Sequence, residues 1–250
     1  MGSERSDCQP YQRAGALQEF RRARVVEDVT FDVAEGRVVG LLGRNGAGKT
    51  TTLRATLDLY HADSGEARVF GSTYNELPDA ARRIGVSVDR MGALPGATVI
   101  SDLRLWASTL RLPKRHCEEV LDFVGLPDMG GKRVSNLSTG MRQRHGLALA
   151  MPADPQLLIL DEPASGLDPD GIRWLRETLR GLAAKGKTVL LSSHQLAEVA
   201  QTVDDVMILQ RTLRCAGSLA DFTSGRPHDL EKRFFEVVGA PGDQDKEVRS

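Results

Sequence analysis

The residues best suited to chemistry form the run Gly43, Arg44, Asn45, Gly46, Ala47, Gly48, Lys49 and Thr50, which fits the pattern G-x-x-x-x-G-K-[ST]. Glycines at those places let consecutive backbone N–H groups turn inward around phosphate oxygens. The lysine supplies a cation for the β- and γ-phosphates of a nucleotide, and the threonine hydroxyl is a ligand for Mg2+. Candidate nucleotide contacts therefore run from Gly43 through Lys49 and Thr50 to Thr51. A second run, Leu157, Leu158, Ile159, Leu160, Asp161 and Glu162, ends four apolar residues in two carboxylates. That pattern marks a central strand whose C-terminal edge carries ligands. Asp161 is placed to hold Mg2+, directly or through water. Glu162 is placed to polarise the water that attacks a γ-phosphate.

These groups need a framework that brings strand ends together. Val38 to Leu42 is a short apolar run entering the Gly-rich turn, and Thr50 to Leu59 reads as the helix that leaves it. Strand, glycine loop and helix in that order open a phosphate-binding α/β fold. Further strands are predicted at Val25–Val33, Ala67–Phe70, Arg83–Val88, Leu157–Leu160, Thr188–Ser192 and Val206–Leu209. Between about 89 and 145, Leu103, Leu105, Trp106, Leu110, Val120, Leu121 and Val124 recur at helical spacing. The expectation is one α/β domain over 11–238, with a mainly parallel sheet covered on both faces and a helical segment at about 89–145 inserted into it. Residues 1–10 and 239–250 are expected to be flexible.

Composition limits the alternatives. The chain has 250 residues, 40% hydrophobic and 27% charged, which is ordinary for a globular domain. A formal net charge of -1 gives no global basic field, so no nucleic-acid partner is expected. Cys8, Cys117 and Cys215 are odd in number and widely spaced, which argues against a disulfide scaffold or a zinc site and fits a reducing cytosol. No apolar run approaches the roughly 20 residues that cross a bilayer. Work at a membrane would need another subunit as anchor.

The run Leu137, Ser138, Thr139, Gly140 and Met141 resembles the signature L-S-G-G-Q of ABC ATP-binding cassettes, and Ser138 precedes Asp161 by 23 residues, as in that family. The resemblance covers nearly the whole chain. It implies the ABC type of P-loop NTPase fold, with an antiparallel β portion near the N-terminus. It also implies ATP as substrate, Mg2+ as cofactor, and a second cassette as partner, in a homodimer or a heterodimer. Ser138 and Gly140 would then cap the γ-phosphate of ATP held by the partner cassette, with Asp168 at the dimer contact. His194, 32 residues after Glu162, corresponds to the switch histidine that bonds the γ-phosphate. Phe20 takes the place of the aromatic ring that stacks on adenine.

Some positions depart from the family pattern. Asp89 stands where the family has a glutamine that contacts Mg2+ and the attacking water; it is able to ligate the metal but has no N–H donor. Thr139, Met141 and Ala164 are also unusual, and the frame around Asp89 resembles bacterial drug and antibiotic exporters. The implied protein is a cytoplasmic ATPase, peripheral on the inner membrane face, that drives separate permease subunits. Leu94, Val99, Ile100, Leu103 and Trp106 are expected to form the groove that receives a permease helix. Two alternatives are a soluble ABC ATPase without a transport role and a low-activity regulatory cassette.

Overall fold

The computed structural model describes residues 16–20, 23–60, 62–88, 94 and 96–239, with only the backbone for 16–20 and 23–24. Asp89 and the segments 1–15 and 240–250 lie outside the described residues. The architecture is α/β. Six strands form one sheet in the order β4-β5-β6-β3-β7-β8. They are β3 (Val38–Leu42), β4 (Ile84–Ser87), β5 (Leu157–Asp161), β6 (Thr188–Ser193), β7 (Asp205–Gln210) and β8 (Thr212–Ser218). All neighbours are parallel except β7 and β8, and an antiparallel pair, β1 (Ala16–Phe20) and β2 (Ala23–Val29), stands apart.

The apolar runs explain the layers. Side chains alternate between the two faces of a strand, so strands covered on both sides must be apolar throughout. All five residues of β3 are buried. Val38, Leu42, Leu158, Leu160, Val189, Leu191, Val206 and Ile208 enter one core. Val39, Leu41, Leu157, Ile159, Leu190, Met207 and Leu209 enter the other. Burying each large aliphatic side chain contributes about 1.5–3 kcal/mol relative to leaving it exposed.

Helix α1 (Lys49–Thr56) follows β3, and the short α2 (Ala80–Arg83) leads into β4. The segment between β4 and β5 carries α3 (Val99–Thr109), α4 (Arg115–Phe123) and α5 (Thr139–Ala150). Helix α6 (Pro169–Ala184) connects β5 to β6. The chain then runs through α7 (Leu196–Val199), α8 (Leu219–Phe222) and α9 (Leu230–Val238). No helix among the described residues is long and apolar enough to cross a membrane.

Several expectations need correction. Ala67–Phe70 is not a strand: Val69 makes only an isolated bridge to Ser72, and Arg68 turns back to Glu66 and the Gly71 carbonyl. Gly65 and Gly71, both at positive φ, bracket a turn too tight for a ladder. Strand β8 was not predicted, because Thr212–Ser218 mixes exposed Arg214 and Gly217 into a weak alternation. Helical structure continues past 145 to Ala150, where Leu147, Ala148 and Ala150 are buried. Val99 and Leu103, expected in a docking groove, are fully buried with Ala107 along the inner face of α3. Cys117 is free and buried.

Candidate nucleotide site

Strand register brings the chemical residues level. Leu42 at the end of β3 pairs with Ser193 of β6, and Asp161 at the end of β5 pairs with Ser192. Three neighbouring strands thus deliver the Gly43–Lys49 loop, the Asp161–Glu162 pair and His194 to one edge of the sheet. In open α/β sheets this carboxyl edge is where ligands bind.

The loop itself requires glycine at two places. Gly48 is the N-cap of α1 at φ 101, and a Cβ there would lie 2.5 Å from Val26 Cγ2. A Cβ on Gly43 would lie 2.5 Å from the Leu209 carbonyl oxygen. No side chain caps α1 and no acid lies in its first turn, so its free amides face the loop without competition from protein anions. Asn45 and Gly46 are exposed, Arg44 and Thr50 are half-buried, and Ala47 and Gly48 are buried. Thr51 is half-buried in α1.

Lys49 is buried, with only 6% exposure. A buried ammonium must be paired. Its Nζ donates to the carbonyls of Gly43 at 2.8 Å and Arg44 at 3.3 Å, and it lies 3.2 Å from Glu162 Oε1. The other carboxylate oxygen of Glu162 lies 2.7 Å from His194 Nδ1. Glu162 has φ 49, the left-handed region that side chains enter at a cost of about 1–3 kcal/mol. Its backbone N–H donates to Ser192 Oγ at 3.0 Å, which helps hold that conformation.

The Thr50 hydroxyl donates to Asp161 Oδ2 at 2.7 Å, and Ser192 Oγ donates to the other carboxylate oxygen. Ser192 therefore ties both acids to β6, a role that sequence reading missed. Its signal was a pair of hydroxyl residues breaking an apolar strand just before His194. Thr50 and Asp161 are hard oxygen donors in adjacent positions, the donor type that suits Mg2+. No cluster of three or more His, Cys, Asp or Glu forms a metal cage among the described residues. A cation at Thr50 and Asp161 would complete its shell with phosphate and water oxygens, as Mg2+ does in nucleotide sites.

The remaining expected residues lie elsewhere. Ser138 is the N-cap of α5, its Oγ accepting from the Met141 amide at 3.2 Å. Gly140 is in the first turn of the same helix. Asp168 is the N-cap of α6, accepting from the Gly171 amide at 2.8 Å. None of these three bonds to the Lys49–Glu162–His194 group. Phe20 ends β1, and its side chain and all of Asp89 lie outside the described residues. His145 is buried against Asp102 of α3, Nε2 to Oδ2 at 2.9 Å, and ties the signature helix to α3.

Residues 26–165 match the model of the ABC transporter family. The chain is 41% identical over 187 residues to the bacitracin transport ATP-binding protein BcrA of Bacillus licheniformis, covering 74% of this chain and 61% of that one. It is 36% identical over 233 residues to the Nod factor export ATP-binding protein I of Rhizobium johnstonii, covering 91% of this chain and 72% of the relative. A solved structure of an ATP-binding subunit of an ABC transporter superposes with TM-score 0.79 at 29% identity, over 89% of this chain and 97% of that one. With a phosphate loop, an Asp-Glu strand end and a histidine gathered on one sheet edge, the chain belongs to the ABC transporter family as an ATP-binding, ATP-hydrolysing cassette.

Proposed function

We propose that this cassette powers a bacterial exporter of the drug and antibiotic type, acting on separate permease subunits through ATP-driven pairing with a second cassette. The observation that carries the reading is the Lys49–Glu162–His194 chain beside Thr50 and Asp161, because a cation, a base and a metal-binding acid suited to ATP hydrolysis converge there. The relative named for Nod factor export supports the direction of transport, and the one named for bacitracin transport supports the class of cargo.

The residues take these roles. Amides of Gly43 to Lys49 wrap the phosphates, with Thr51 beside them and Phe20 under the adenine. Lys49 exchanges its internal partners, the loop carbonyls and Glu162, for phosphate oxygens. That exchange frees Glu162 to accept a proton from water, while His194 fixes the carboxylate and reaches the γ-phosphate. Thr50 and Asp161, with Asp89, hold Mg2+, which when bound neutralises phosphate charge. Ser138, Gly140 and Asp168 serve the ATP of the partner cassette. Residues 11–238 act as one domain, on the inner face of the cell membrane, with no nucleic-acid partner.

The permease contact moves from the buried face of α3 to its outer edge. Leu94 is 49% exposed, Trp106 38% and Leu59 47%. Trp106 and Leu59 border an apolar groove of about 190 Å³ with Leu57, Tyr74, Leu110 and Pro155. An amphipathic helix with apolar anchors fits such a groove.

The test is Glu162→Gln, which keeps the shape of the side chain but removes the base. Expected is ATP binding with a stable dimer on size exclusion and hydrolysis lowered by about 10²–10⁴-fold, the usual contribution of a general base. Hydrolysis near the unaltered rate would exclude Glu162 as the base. Recovery of the ATP-loaded variant from solubilised membranes without any polytopic partner would overturn the transport role.

A further inference from the structure

Arg44 is the second residue of the phosphate loop, yet its side chain leads away from Lys49. Its guanidinium donates to the Gly239 carbonyl at 2.6 Å and lies 5.8 Å from the centre of the Phe235 ring. Gly239 is the C-cap of α9. The Gly239 backbone has left the helical region, at φ 79 and ψ 158, so its carbonyl is free of the helix and accepts a charge-assisted bond from the guanidinium. Phe235 in turn meets Phe234 edge-on, with centroids 5.5 Å apart and planes at 79°. Phe234 is 3% exposed and belongs to the main core. An unbroken line of contact therefore joins the core to the phosphate loop through one side chain.

The same helix reaches the opposite side of the site. Helix α9 packs on α7, which begins two residues after His194. Between loop, switch segment and α9 lies a cleft of about 580 Å³, bordered by Asn45, His194, Glu198, Glu231 and Phe235. A brace that touches both walls of a cleft fixes their separation. Here the walls carry the amides that wrap the phosphates and the histidine that meets their end.

We infer that α9 is a positioning element for ATP, setting the phosphate loop through Arg44 clamped between the Gly239 carbonyl and the Phe235 ring. The inference rests on the nucleotide reading of the site given above. Arg44 and Phe235 act through loop geometry, so their loss shows as weaker ATP binding rather than as a slower chemical step.

The experiment compares Phe235→Leu, Phe235→Tyr, Arg44→Ala and the Arg44→Ala/Phe235→Leu double variant in the full chain. It measures KM and kcat for ATP, the Kd of a fluorescent ATP analogue, and thermal unfolding. Leucine keeps the apolar packing but has no π face; tyrosine keeps the face. Phe235→Leu is expected to raise KM and Kd by about threefold with kcat nearly unchanged, and Phe235→Tyr to match the unaltered protein. The double variant is expected to bind no worse than Arg44→Ala alone, since both changes break one contact. Unchanged KM and Kd in Phe235→Leu, with or without a lower unfolding temperature, would overturn the inference while leaving the ATPase reading intact. So would effects that multiply in the double variant, since they would place Arg44 on the nucleotide itself. No ATP binding by the unaltered chain would overturn both.

Discussion

Two regions of the molecule carry residues expected at the ATP, and they are built differently. At the carboxyl ends of β3, β5 and β6, five side chains from distant parts of the chain meet within hydrogen-bonding or ion-pairing distance: Lys49, Thr50, Asp161, Glu162 and His194. At the N-termini of α5 and α6, Ser138 and Asp168 bond only to the first turns of their own helices. The first region is satisfied internally and must open its ion pairs to take a phosphate. The second is a pair of capped helix starts, one of them with amides available to an anion. Gln143 of α5 donates to the Ser165 carbonyl at 3.2 Å, so α5 is tied to the loop that leads into α6. One region is a cluster of side chains assembled in one chain; the other is a pair of helix starts that, in the function proposed above, becomes a site only when another chain supplies the ligand.

The largest effect is expected from Lys49→Ala. The ammonium makes charge-assisted bonds, each worth about 1.5–3 kcal/mol, so losing its phosphate contacts lowers ATP affinity on the order of a hundredfold. Equilibrium binding of ATP to the isolated chain checks this. An affinity within about fivefold of the unaltered chain would mean that the lysine is a structural tie between the loop and Glu162. The comparison would then collapse, because the first region would be no more a ligand site than the second.

Much of the first region was legible in sequence because its constraints are local. The glycine spacing of Gly43–Lys49 follows from backbone approach, and the apolar Leu157–Leu160 run from burial on both faces. Ser192 was missed because its role comes from register against Asp161, and pairing register is not written in a strand's own residues. Val99 and Leu103 were misplaced for a related reason. Periodicity marks an apolar face of α3, but only packing shows that this face is closed while Trp106 stays exposed. The line from Arg44 to Phe235 spans most of the chain length, and no spacing rule reaches that far.

A middle-sized effect separates capping from anion binding at the second region. Aspartate is as good an N-cap as serine, so Ser138→Asp keeps α5 and its unfolding temperature. It also sets a negative charge where the partner's γ-phosphate is expected. Hydrolysis is expected to fall on the order of a hundredfold, while ATP binding to the monomer stays within about twofold. Loss of monomer binding would show that Ser138 serves the ATP of its own chain, and unchanged hydrolysis would reduce it to a cap.

The smallest effect sharpens the same distinction at α6. Asp168 accepts from the Gly171 amide and so contributes the roughly 0.5–2 kcal/mol of an N-cap whatever else it does. Asp168→Ser preserves that bond type and removes the charge. If Asp168 is only a cap, hydrolysis and dimer affinity stay unchanged. If it also meets the partner cassette, the concentration of protein at half-maximal hydrolysis rises by about threefold, as loss of one partly exposed charged contact implies, while activity at saturating protein recovers. Stability is the control, because an interface contact leaves the unfolding temperature of the monomer alone. A concentration dependence identical to the unaltered protein would confine Asp168 to its own helix and leave Ser138 and Gly140 as the candidates in the second region for contact with ATP from another chain.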